Sequence, residues 1–285
     1  MEHASAFERA LKGLALALIV IFFLFPIFWI FLVSFQTNED ILRIPPSLFF
    51  TPTFSNYQAL ISGKLATTAG NLDIAFMKNL WNSVLLSTMS VAVALILGVP
   101  AAYAFARFKF RLGEDIAFTL LSFRFAPPLL VLLPLSLYFQ QPGLIDTYAG
   151  LIWVYQLIAL PLILWIVRGY FEDISPDIEH AYRVAGHSWW SAFTRIAVPL
   201  NGPGIAAAGL LAFIFCWNNF VFALILASAA KQPVTVGALA FVTASGIQYG
   251  QIAAAIVLSA TPTLALALYA QRYLVEGLSL GAVKG

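Results

Sequence analysis

A chain of 285 residues that is 61% hydrophobic and only 10% charged, with a mean hydropathy of +0.89, lacks the charge to cover a water-facing surface. Soluble domains carry about 25% charged residues, so lipid must be the solvent for much of this chain. The formal net charge of +2 gives no basic footprint for nucleic acid, and the lone Cys216 excludes an internal disulfide framework or a zinc site built from thiols.

A membrane span needs about 20 mainly apolar residues in a helix, which alone satisfies its own backbone in hydrocarbon. Six segments meet that test, at about 13–35, 80–106, 116–138, 148–167, 203–227 and 251–270. The first follows Arg9 and Lys12, as a secretory signal would. It is about twice the length of a typical signal core, and no small-x-small cleavage site follows it at 34–38. It is therefore read as a retained span behind an N-terminal tail of residues 1–12, with 13–285 forming one transmembrane domain. The stretch before the second span is polar and rich in turn signals such as Pro45-Pro46 and Ser62-Gly63. In the third span Pro127, Pro128 and Pro134 predict a kink that frees backbone carbonyls. The segment 168–199 is a longer loop with a helical pattern.

Basic residues orient the spans. With the N-terminus inside, ten lie on the inner side: Arg9, Lys12, Arg107, Lys109, Arg111, Arg168, Arg183, Arg195, Arg272 and Lys284. Four lie outside (Arg43, Lys64, Lys78 and Lys231), and Arg124 stays within the third span. Both termini and the 168–199 loop are thus predicted to be cytoplasmic.

The chain carries no chemistry of its own to power transport. A phosphate-binding loop needs a glycine-rich turn ending in Lys-Ser or Lys-Thr, whereas the one Gly-Lys pair, Gly63-Lys64, is followed by Leu65. His3, His180 and His187 lack metal spacing, and no G-x-S-x-G elbow is present. A non-catalytic chain is expected. A stand-alone carrier is expected to show repeated halves with broken helices, and no long repeat is visible.

The loop parses as two short helices. Ser175 can cap the first, Pro176 suits its first position, Asp177 favours the positive end of its dipole, and Gly186 can stop it in a left-handed conformation. Ser188 can cap the second, and Pro199 turns the chain back towards the membrane. Ile178, Ala181, Tyr182 and Ala185 share one face of the first helix, and Trp189, Ala192, Phe193 and Ile196 one face of the second. By spacing alone, such a pair is equally a surface element lying on lipid.

The run Glu179-His180-Ala181-Tyr182-Arg183-Val184-Ala185-Gly186-His187-Ser188, continuing to Ile196 and Pro199, resembles the EAA coupling loop of binding-protein-dependent ABC importer permeases. Aligned on Gly186, the family's Ser, Ile and Pro fall on Ser188, Ile196 and Pro199 without a gap. The family's leading Glu is His180 here, and its Asp before Gly is Ala185. Further resemblances to the carbohydrate-uptake permeases run in order along the chain: Leu97-Gly98-Val99-Pro100-Ala101-Ala102-Tyr103-Ala104-Phe105-Ala106-Arg107, then Arg124-Phe125-Ala126-Pro127-Pro128, then Leu144-Ile145-Asp146-Thr147, and the tail 277–285.

The resemblance implies an all-α type I importer fold of six transmembrane helices, one peripheral helix and a core of five. It implies residence in the bacterial inner membrane and a heterodimer with a second permease. It also implies two ATP-binding subunits that hold ATP and magnesium, and an extracytoplasmic solute-binding protein. No cofactor is expected in this chain. Glu179, His180, Ala181, Gly186 and Ser188 are the expected coupling residues. Polar groups inside spans are costly in lipid and tend to face a cavity or a partner, which singles out Arg124, Gln156, Asn218 and Asn219, with Trp217 as a stacking face for a sugar or polyol. Each of these equally fits a role in tying helices together. An anionic solute facing Arg124 is the alternative, and Cys216 reads as a small packing residue.

Overall fold

The computed structural model describes residues 6–45, 49–67, 70–243 and 246–281. In chain order it contains α1 (Ala6–Val33), α2 (Ser55–Ser62), a hairpin of β1 (Lys64–Thr67) and β2 (Gly70–Asp73), α3 (Phe76–Arg107), α4 (Gly113–Ser122), α5 (Pro128–Gln140) and α6 (Tyr148–Asp173). There follow α7 (Asp177–Val184), the irregular helix α8 (Trp189–Leu200), α9 (Gly202–Trp217), α10 (Val221–Leu226), a small hairpin of β3 (Val242–Thr243) and β4 (Gly246–Ile247), and α11 (Tyr249–Gly281). Four helices are long and apolar enough to cross a membrane, and up to six spans result if each of two bent pairs counts as one.

Two of the predicted spans are interrupted helices. The segment 116–138 is not a kinked helix: α4 and α5 meet at 99° across Phe125–Pro128. Pro127 and Pro128 offer no N–H to the preceding turn, so the helix stops and a new one starts at Pro128. The segment 203–227 is likewise broken. α9 ends at Trp217 and the chain restarts as α10 at Val221, while the 72° bend between α8 and α9 lies just before this segment.

Two compact units are present. The first comprises residues 1–77 and 238–260. No residue in the most apolar stretch of its α1 is buried, so that helix offers its whole circumference to lipid or to another chain. After α1 the backbone is pinned by Asn56, whose amide donates to the carbonyls of Ser34 and Gln36 at 2.9 and 2.8 Å. The hairpin pairs antiparallel from Lys64 with Asp73 to Thr67 with Gly70.

The second unit comprises residues 78–237 and 261–285. α6 packs along α9, burying Ala159, Ile163 and Val167 on one and Ala208 and Ala212 on the other. Close approach there depends on Gly204, where a Cβ would lie 2.4 Å from the Tyr170 ring. The segment 226–237 is tied to the first turns of α3: the Asn82 amide donates to the carbonyls of Ala230 and Gln232, and Ser83 Oγ accepts from Val234 N–H at 2.8 Å.

Candidate functional site: the loop between α6 and α9

The loop folds as its capping residues dictate. Ser175 Oγ accepts the Asp177 N–H at 3.3 Å, and Pro176 occupies the capping position itself, one place earlier than the sequence pattern implied. Gly186 stops α7 with φ +93°, its N–H donating to the Arg183 carbonyl at 2.9 Å. Ser188 caps α8 by accepting the Ser191 N–H at 3.2 Å. A five-residue π-helical stretch over Phe193–Ala197 then widens α8.

α7 buries a face other than the apolar one. Ile178, Ala181 and Ala185 are exposed, as is Val184, while Tyr182 is half-buried and Glu179 is only 1% exposed. With 100° per residue, Glu179 and Arg183 point inward and Ala181 and Val184 outward. The second predicted face does turn inward: Ala192 and Phe193 are buried and Ile196 is half-buried.

A buried carboxylate needs partners, and Glu179 finds them on α3. It accepts from Tyr103 Oη at 2.5 Å and from Arg107 Nε at 2.9 Å, while Arg107 Nη2 also reaches the Ile174 carbonyl at 3.0 Å. Both partners are nearly sequestered, with the Arg107 side chain 7% exposed. Rings complete the junction: Tyr103 lies 4.8 Å from Phe193 and 5.4 Å from Phe171, and Phe108 lies 5.1 Å from Trp189. On the flanks the Arg183 guanidinium sits 3.5 Å over Trp189, and Tyr182 stacks on His187 at 4.0 Å. His180 is exposed and edge-on to Trp189. Sequence reasoning passed over Tyr103 and Arg107 as site residues. Their i, i+4 spacing at a helix end was visible, but not the carboxylate more than seventy residues away that they hold.

The residues proposed for a solute path each engage different neighbours. Gln156 is buried, and its amide donates to the Ser90 carbonyl of α3 at 3.1 Å and to Ile152 at 2.9 Å, so it ties two helices together. Trp217 is buried and stacks on Phe213. Asn218 is exposed and bonds back to the Ile214 carbonyl of its own helix. Asn219 receives Thr235 Oγ1 on its carbonyl at 2.8 Å, and its buried side-chain oxygen has no partner among the described residues. Arg124 is half-buried, 4.1 Å over the Phe215 ring. The break after Phe125 and the break after Trp217 are thereby joined through Arg124 and Phe215. A separate cavity of about 410 Å³ between α3, α9 and α11 is walled by Val91, Leu95, Gly209 and Phe213, and none of the path candidates lines it.

This fold has known counterparts. Residues 94–279 match the family described as binding-protein-dependent transport system inner membrane component. The chain belongs to that family. It is 34% identical over 275 residues to the trehalose transport system permease protein SugB of Mycobacterium tuberculosis, covering 94% of this chain and 95% of the relative. To the trehalose/maltose permease MalG of Thermococcus litoralis it is 30% identical, with 98% of each chain covered. The sulfoquinovosyl glycerol permease SmoH of Agrobacterium fabrum is 29% identical over 97% of this chain and 94% of its own. Among solved structures, a bacterial ABC transporter for the acidic polysaccharide alginate superposes with a TM-score of 0.76 at 22% identity, over 96% of this chain and 100% of that one. The fold is that of a type I ABC importer permease. Several apolar helices in such a family make the protein a multi-pass component of the inner membrane.

Proposed function

We propose that this chain is a transmembrane subunit of an ATP-driven importer for a sugar or polyol, and that the loop from Ile174 to Leu200 couples its spans to ATP hydrolysis by partner subunits. The observation that carries the reading is the two-sidedness of α7. Its inner side is anchored to α3 through Glu179, and its outer side leaves Ile178, Ala181 and Val184 exposed for a partner. Relatives named for trehalose and maltose support the solute class. The partners are a second permease, two ATP-binding subunits that hold ATP and magnesium, and an extracytoplasmic solute-binding protein. Both termini and the coupling loop face the cytoplasm in this reading, which the distribution of basic residues supports. In linkage terms, ATP shifts the spans only through contacts that differ between the inward-open and outward-open states.

A second reading, an anionic sugar, is favoured by one observation. Arg124 sits in a span with an aromatic ring beside it and no carboxylate within ion-pair distance among the described residues. The name of SmoH is in keeping with it.

The test is reconstitution of the chain with its genomic neighbours (permease, ATPase and binding protein) in liposomes, with a panel of neutral sugars, polyols and sulfonated sugars. Solute-stimulated ATP hydrolysis is expected in the wild type and is lost in Gly186→Asp while the complex still assembles. Unaltered hydrolysis and uptake in that variant would make the loop a passive surface element.

A further inference from the structure

The coupling loop is continuous in the chain with α6 and α9, yet its one buried carboxylate is committed to a third helix. Glu179 is held by Tyr103 and Arg107, at separations of 76 and 72 residues. Arg107 adds a bond to the Ile174 carbonyl at the end of α6, and the Tyr103 ring packs against both Phe171 of α6 and Phe193 of α8.

We propose that Tyr103 and Arg107 are positioning residues of the coupling step: with Glu179 they fasten the cytoplasmic end of α3 to the loop, so that the two move as one body through the transport cycle. This rests on the loop being seated on an ATPase, as proposed above. The physical reason lies in the burial of the pair. Drawing Arg107 away from a carboxylate that is 1% exposed leaves two uncompensated charges in a medium of low dielectric, which is far more costly than moving them together. A surface ion pair would impose no such constraint.

The far end of the same helix shows where the motion goes. Asn82 and Ser83, in the first turns of α3, hold segment 226–237 through its carbonyls and the Val234 N–H. From Ser83 to Arg107 the helix spans about 36 Å at 1.5 Å per residue. One helix therefore grips the coupling loop at one end and the 226–237 segment at the other. A thrust received by the loop is delivered along α3 as well as along the two helices that continue from it.

The experiment uses the complete reconstituted transporter, with spin labels at Ile96→Cys on α3 and Thr194→Cys on α8, both exposed positions. The label-to-label distance in the wild-type background is expected to stay the same with and without ATP. In Glu179→Gln, which leaves Arg107 without its counter-charge, the distance is expected to change between the two states. Solute taken up per ATP hydrolysed is expected to fall about tenfold at equal assembly, within the range typical of coupling between sites. Arg107→Lys, with Glu179 intact, retains the ion pair and is expected to lose less than Glu179→Gln does. A distance that shifts between states in the wild type overturns the proposal, as does Glu179→Gln with wild-type uptake per ATP. Should Glu179→Gln fail to assemble, the wild-type distances decide alone. Absence of any solute-stimulated hydrolysis in the labelled wild type would remove the importer reading itself, and the link with it.

Discussion

Glu179 and Val184 lie on the same two-turn helix, one 1% exposed and the other 89% exposed. The polar residue faces the protein and the apolar one faces out, the reverse of a surface helix in water. Inside, Arg107 and Tyr103 compensate the carboxylate; outside lies an exposed apolar ridge, which the proposed coupling role would seat on a partner.

That inversion separates two kinds of variant. Val184→Asp places a charge at a position 89% exposed among the described residues, so the subunit should insert and melt as the wild type does. Docking of the ATPase should be lost. Glu179→Ala should instead damage the subunit itself, by about 3–5 kcal/mol, because Arg107 is left buried and alone. Thermal unfolding of the purified permease pair, measured beside co-purification of the ATPase, distinguishes the two. Equal loss of both properties in both variants would argue against the division.

Within this chain, Gly186 needs its lack of a side chain for its backbone conformation. Its φ is +93°, and a Cβ added there would meet nothing within 4 Å. Gly186→Ala is expected to cost about 1–2 kcal/mol, and Gly186→Asn less, since Asn tolerates the left-handed region better. The order of melting temperatures, Gly above Asn above Ala, checks this.

Asp146 gives a pH dependence with a definite sign. The backbone N–H of Ser228 at 2.9 Å, and then Lys231 Nζ at 3.2 Å, hold its carboxyl below the usual carboxylate range. The contribution is therefore present in full above the ordinary carboxylate pKa and is lost as pH falls through the lowered value. Hydrogen exchange at the Ser228 amide, corrected for its intrinsic rate, should stay protected at neutral pH and rise only on acidification. Asp146→Asn, which cannot titrate, should flatten that profile; an unchanged profile would count against the role of Asp146.

Gln156 is expected to be a tie between helices. Its amide hydrogens are both committed to carbonyls, so Gln156→Leu should lower stability by about 0.6 kcal/mol and leave the apparent KM for solute unaltered. Arg124→Gln should behave differently. If the solute is anionic, KM should rise about tenfold or more for sulfonated sugars and little for neutral ones, as expected when one charge-assisted contact is lost. Transport assays with both solute classes read this out.

Much of this was legible in the sequence. Serine caps, the glycine stop and the basic residues are local signals, and the structure uses Ser188 and Gly186 as the sequence implied. The apolar face of α7 was legible as a stripe, but periodicity does not say whether a stripe meets the protein's own core or another chain. Ile178, Ala181 and Ala185 stay exposed because Arg107 claims the opposite side through Glu179. The breaks at Pro127 and after Trp217 needed tertiary context: a proline signals that a helix weakens, and the packing decides whether it bends or stops. The Gln156 tie rests on Ser90 being across the interface, a pairing that sequence spacing does not carry.

In the proposed function the exposed ridge of α7 seats on the ATPase while its other side stays within the permease. Cysteine cross-linking on the assembled transporter addresses this most directly, with Val184→Cys and, as the inward control, Phe193→Cys, whose position is buried. An adduct between Val184→Cys and the ATPase subunit is expected, varying with bound nucleotide, and none from Phe193→Cys. If Val184→Cys forms no such adduct in any nucleotide state, or reacts only with lipid-soluble reagents, the loop lies on the membrane and the coupling assignment is contradicted.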